Sequence, residues 1–137
     1  MSTVADIVGR AMRLIGVNDP NQSPSADDFA TSMMALNAMC RRWEANGLSM
    51  GWQDVSNPSD ELPAPPEAEE AIAYQLAMRI APEYSVAPPS AVASGAIAFL
   101  NDLRRDRMVA NPIYQQSTAP SPSAGGRPFY NILTDTC

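Results

Sequence analysis

SADDFATSMMALNAMCRRWEANG, residues 25–47, decides the fold. Phe29, Met33, Leu36, Cys40 and Trp43 recur at offsets of 0, 4, 7, 11 and 14, which is one narrow, near-heptad seam along an α-helix. Ser25 with Asp28 three residues on is an N-terminal cap signal, and Gly47 supplies the stop. Arg41 and Arg42 fall off the seam, on a face that reads as solvated.

The same grammar recurs on either side. Upstream, Thr3 and Asp6 form a capping box, Val4, Ile7, Val8, Ala11, Leu14 and Ile15 follow at helical spacing, and Gly16 ends the run. Downstream, LSMGWQDV (48–55) alternates, with Leu48, Met50 and Trp52 on one side. It reads as a short extended segment without a partner strand, so the C-terminal tail or a neighbouring subunit is expected to pair with it. SNPSDELPAPP (56–66) is a Pro-rich connection.

A third helix spans residues 67–81 and stops before Pro82, because the residue ahead of a proline resists the helical region. Ile72, Leu76 and Ile80 share one face, with Tyr74 and Met78 roughly opposite. A helix apolar on two sides either lies centrally or meets another chain, which makes Tyr74 and Met78 candidate subunit-interface residues. Ser90 is expected to cap a fourth helix reaching about Ala110, with Val92, Ala96, Phe99 and Leu103 as its stripe. Gly95 within it costs about 1 kcal/mol relative to Ala, which points to close helix packing. The fold class is therefore all-α: a four-helix domain over residues 1–110 with a short extended segment.

Residues 111–137 read as a long extended arm. STAPSPSAGGRP (117–128) is too rich in Pro, Ser and Gly to bury its own surface. Yet Tyr114, Phe129, Tyr130, Ile132 and Leu133 are groups that gain by docking on another protein. Fully extended, the arm reaches at most about 90 Å.

The formal net charge is −6, and every basic residue is Arg. An acidic chain without a basic stripe is a poor candidate for gripping nucleic acid. Arg104, Arg105 and Arg107 sit where cations complement the C-terminal end of a helix, among Asp102 and Asp106. Arg also suits interface ion pairs, and Arg104, Arg105 and Trp52 join the subunit-interface candidates. With no His and two isolated cysteines, there is no common metal set and no disulfide framework. No phosphate-binding glycine motif occurs. Acid–base work would fall to a carboxylate pair among Glu67, Glu69, Glu70, Glu83 and Asp54, although acids in a first helical turn chiefly complement the dipole. No membrane span, cofactor or secretory signal is expected; Asp6 interrupts the only apolar start.

Three stretches carry a resemblance: ADIVGRAMRLIGV (5–17), ALNAMCRRWEANGL (35–48) and LAMRIAPEY (76–84). In this order they resemble the packaged-DNA stabilisation proteins of short-tailed phages, the head-to-tail adaptors also called tail accessory factors. The resemblance covers the chain to about Arg107. It implies a mostly helical, non-enzymatic virion protein, made in the host cytoplasm and placed at the head–tail junction. Twelve copies would form a ring beneath the portal, extend the DNA channel without sequence-specific binding, retain packaged DNA and seat further tail proteins. The arm, through Tyr114, Phe129, Tyr130, Ile132 and Leu133, would hold the portal ring. The competing classes are a cell-wall hydrolase using paired carboxylates and a small helical nucleic-acid-binding regulator.

Overall fold

The structure, a computed structural model, describes residues 1–109. Among them are four α-helices: α1 (Val4–Leu14), α2 (Ala26–Ala45), α3 (Glu69–Ile80) and α4 (Ser90–Val109). Short 3-10 turns at Pro66–Ala68 and Ala81–Tyr84 flank α3, and no strand occurs among the described residues. The fold is all-α. The chain divides into a compact unit over Met1–Arg104 and a second over Arg105–Cys137, of which only the end of α4 is described. The proposed arm over residues 111–137, with Tyr114, Phe129, Tyr130, Ile132 and Leu133, lies outside the described residues.

Local signals set the first two helices. Thr3 Oγ1 accepts from the Asp6 N–H at 3.3 Å, and Asp6 Oδ2 accepts from the Thr3 N–H at 3.0 Å, a complete capping box. Ser25 Oγ likewise accepts from the Asp28 N–H at 3.2 Å. Both helices end the same way. Gly16 (φ 75°) and Gly47 (φ 93°) adopt the left-handed conformation, and the bonds Val17 N to Met12 O and Leu48 N to Trp43 O close six-residue loops. These are Schellman caps, for which a residue without Cβ is favoured.

The start of α1 draws on more distant chain. The N–H groups of Val4 and Ala5 donate to the carbonyls of Asp60 and Pro58, both at 2.9 Å, so the Pro-rich connection satisfies the orphan donors of α1. At α4 the expected cap at Ser90 is corrected. Ser90 is already the first helical residue, and the Pro89 carbonyl takes the N–H groups of Val92 and Ala93. Proline suits the lead-in because its φ is preset, although it offers no side-chain acceptor.

α3 packs on both α1 and α2, burying Ile72, Leu76 and Ile80 against Val4, Val8, Met12, Leu36, Met39 and Trp43. The seam of α2 is wider than one heptad line, since Ser32 and Met39 are buried beside Leu36, Cys40 and Trp43. Phe29 and Met33, at its N-terminal end, are only half-buried. Burial pushes the Cys40 thiol up to about 12, so it is inert at neutral pH.

The second apolar side of α3 meets α4 of the same chain. Tyr74 and Phe99 stack edge to face with centroids 4.9 Å apart. Gly95 lies beneath the Tyr74 ring; a methyl group there would come within 2.8 Å of it. The close packing expected from that mid-helix glycine is present. α4 turns Val92, Ala96, Leu100 and Leu103 inward, with Phe99 half-buried at the edge of this row.

Candidate interaction surfaces

Nothing in the described residues gathers three or more His, Cys, Asp or Glu at metal-binding range. Three of the five carboxylates considered for acid–base work make structural contacts. Glu69 Oε2 accepts from Ser2 Oγ at 2.7 Å, Glu70 pairs with Arg10, and Asp54 pairs with Arg41 through two bonds of 2.8 and 2.6 Å. Arg41 is thus exposed but engaged, while Arg42 is exposed, as its face suggested. No helix among the described residues is long and apolar enough to cross a membrane.

The extended segment after α2 is held by a polar row on that helix: Asn37, Arg41 and Glu44, at spacings of four and three. Asn37 donates to the Val55 carbonyl at 2.9 Å and accepts from its N–H at 3.1 Å, imitating a ladder rung. Glu44 Oε1 accepts from the N–H groups of Met50 and Trp52 at 2.7 and 2.9 Å. The tail expected to pair with this segment lies outside the described residues, and within them the segment already has a partner. Side chains of α2 hold it within the chain, because they can reach backbone groups that a missing strand would otherwise satisfy.

The Trp52 N–H does most to hold the Glu44 carboxyl below its usual range, helped by the Met50 and Gly51 N–H groups and Ser49 and opposed by partial burial. A carboxyl depressed in the folded state stabilises above its unfolded value of 4.5, and that stability is lost as pH falls through the folded value. Glu44→Gln keeps an acceptor but loses the charge, so it should cost about 1–2 kcal/mol at neutral pH. The deficit should shrink progressively below pH 4.5 as the native carboxyl is also neutralised. Urea denaturation at several pH values measures this. A deficit independent of pH would show that the carboxylate charge does not hold the segment.

A cleft of about 800 Å³ opens between α1 and α2. Ala5 and Gly9 leave the α1 wall low, while Phe29, Ala30 and Met33 of α2 supply an apolar wall opposite. Pro20–Pro24 and Pro58 close its margins, and Asp6 and Arg13 mark the polar rim. Sequence reading missed this feature. The half-buried state of Phe29 and Met33 is what makes the wall, and their periodicity alone does not separate it from a closed core.

The candidate interface residues scatter over different environments. Tyr74 is half-buried against Gly95 and Phe99, with the Arg10 guanidinium 5.8 Å from its ring centroid. Met78 and Trp52 are half-buried against the core. Arg104 and Arg105 are exposed on α4. Among the described residues, two large apolar residues within helices are mostly exposed, Met34 at 73% on α2 and Ile97 at 63% on α4. Neither was singled out from sequence, where each looks like an ordinary apolar residue off its helix's stripe.

The stretch 76–84 acquires a specific anchoring role. Tyr84 OH donates to Asp28 Oδ1 at 2.9 Å, tying the end of α3 to the first turn of α2. Desolvation and the Asp28 carboxylate push the Tyr84 hydroxyl up to about 12, so it stays a donor. Ser25 and Tyr84 in turn hold the Asp28 carboxyl below its usual range.

A family model described as P22 tail accessory factor matches residues 1–135. No curated protein matches the chain.

Proposed function

Because the chain belongs to the P22 tail accessory factor family, we propose that it is a head-to-tail adaptor of the virion with a purely structural role. In this reading twelve copies form a ring beneath the portal, continue the DNA channel, retain the packaged genome and seat the next tail proteins. The observation that carries the reading is the family match over nearly the whole chain, through both the helical unit and the arm sequence.

The arm is assigned to the portal. Tyr114, Phe129, Tyr130, Ile132 and Leu133 supply apolar anchors on a tether that follows the side of a neighbouring ring. Ring geometry adds effective concentration, since each docked arm holds its neighbours' arms near their own sites. The net charge of −6 suits a channel component past which DNA slides, because like charge disfavours adhesion.

Sedimentation of the full chain with purified portal rings, followed by mass measurement of the complex, tests this. Twelve chains per portal ring is the expected result. Failure to co-sediment, or binding at a different ratio, would overturn the adaptor reading or its twelve-fold form respectively.

A further inference from the structure

We propose that the exposed face of α4 centred on Ile97 seats in the α1–α2 cleft of a second copy of this chain. The inference rests on the adaptor reading above and names the surfaces by which neighbours would meet.

Three observations combine. First, Ile97 is 63% exposed, on a stripe with Ser94, Asn101 and Arg104 that is exposed throughout. Val92, Ala96, Leu100 and Leu103 turn inward. A helix is one rigid rod, so the Ile97 face points away from the core that the opposite face covers. Second, the cleft presents Phe29, Ala30 and Met33 as an apolar wall, open to an incoming side chain. A knob on one element and a recess on others form a heterologous pair, the class that builds rings when its rotation closes.

Third, the charges match in one orientation. Asp6 lies on the cleft rim, and Asp27 on the first turn of α2 is exposed close to Ala26, which lines the cleft. Arg104 lies seven residues beyond Ile97 on the same stripe, about 10 Å along the helix. Placing Arg104 at the Asp6 end sets it against a carboxylate and leaves neutral Ser94 towards Arg13. One side chain in one cleft is a weak contact. It would therefore join copies firmly only where a template holds them side by side.

Cysteine trapping of the full chain tests the contact. Cys137→Ser removes the terminal thiol, and buried Cys40 stays inert. In that background Ser94→Cys, beside the knob, is mixed with Ala30→Cys, in the cleft, under mild oxidation at high protein concentration. Disulfide-linked heterodimers should exceed either homodimer. Adding Ile97→Asp to the Ser94→Cys chain should cut the heterodimer by roughly tenfold or more, the value of one large apolar side chain. Ile97 is exposed, so folding should be unaffected, which circular dichroism checks. Heterodimers no more frequent than random collision gives, or unchanged by Ile97→Asp, would overturn the proposal. Portal co-sedimentation of the same variants reports independently on the adaptor reading: portal binding without the cross-link would sink the contact alone.

Discussion

Trp43→Ala is expected to remove about 3–5 kcal/mol of folding stability, as truncation of large aromatic residues in cores does. Trp43 is 7% exposed and belongs to the core formed by α1, α2 and α3. Its carbonyl also receives the Leu48 N–H, the long-range bond of the Schellman cap that turns the chain into the extended segment. Truncation would leave a cavity beside that turn and loosen the register in which Glu44 and Asn37 grip residues 50–55. Small domains have about 5–15 kcal/mol in total, so the variant should sit near the edge of folding at ordinary temperature. Chemical denaturation decides the matter. A loss below about 1 kcal/mol would mean that neighbouring side chains collapse into the space, and that Trp43 is not a pillar of the core.

Ending the chain after Asn111 should abolish portal attachment while leaving the helical unit folded. Among the described residues, the last buried one of the core is Leu103, which precedes that point. Helicity and melting temperature should therefore stay close to those of the full chain. Attachment should fail because the proposed anchors leave together, from Tyr114 to the Phe129–Leu133 cluster. Each large apolar side chain contributes about 1.5–3 kcal/mol when fully buried, reduced by the cost of ordering the arm. A few kcal/mol per copy already changes affinity more than tenfold, and a ring of linked copies multiplies the loss. Co-sedimentation with portal rings is the measurement, with circular dichroism alongside. Undiminished binding would show that the anchor lies in residues 1–111. Loss of the helical signal would show instead that the removed aromatics help to hold the fold.

Much of the framework was legible in the chain because its determinants are local. Thr3 with Asp6, Ser25 with Asp28, and Gly16 and Gly47 each act within a few residues, so the limits of α1 and α2 follow from short stretches read alone. Gly95 announced a close approach, since only a packing reason offsets its cost inside a helix. The two apolar sides of α3 were equally visible.

What covers those sides was not. That Tyr74 meets Phe99 and Gly95 depends on where α4 returns across α3. The Ser90 cap failed for a related reason: several residues near Pro88 and Pro89 could begin a helix, and the approach of the chain selects among them.

Sequence alone determined the all-α class, the limits of α1 and α2 and the greater part of the core stripes, because capping and periodicity are short-range properties of the backbone and its nearest side chains. Only the tertiary structure decided that Glu44 and Asn37 hold the extended segment, that Pro58 and Asp60 satisfy the start of α1, and that Tyr84 ties down Asp28. The tie between Tyr84 and Asp28 joins residues 56 apart. The α1–α2 cleft belongs with these. Such features depend on how separate elements come to lie together, and any one polar or half-apolar residue is compatible with many partners until packing brings one within reach.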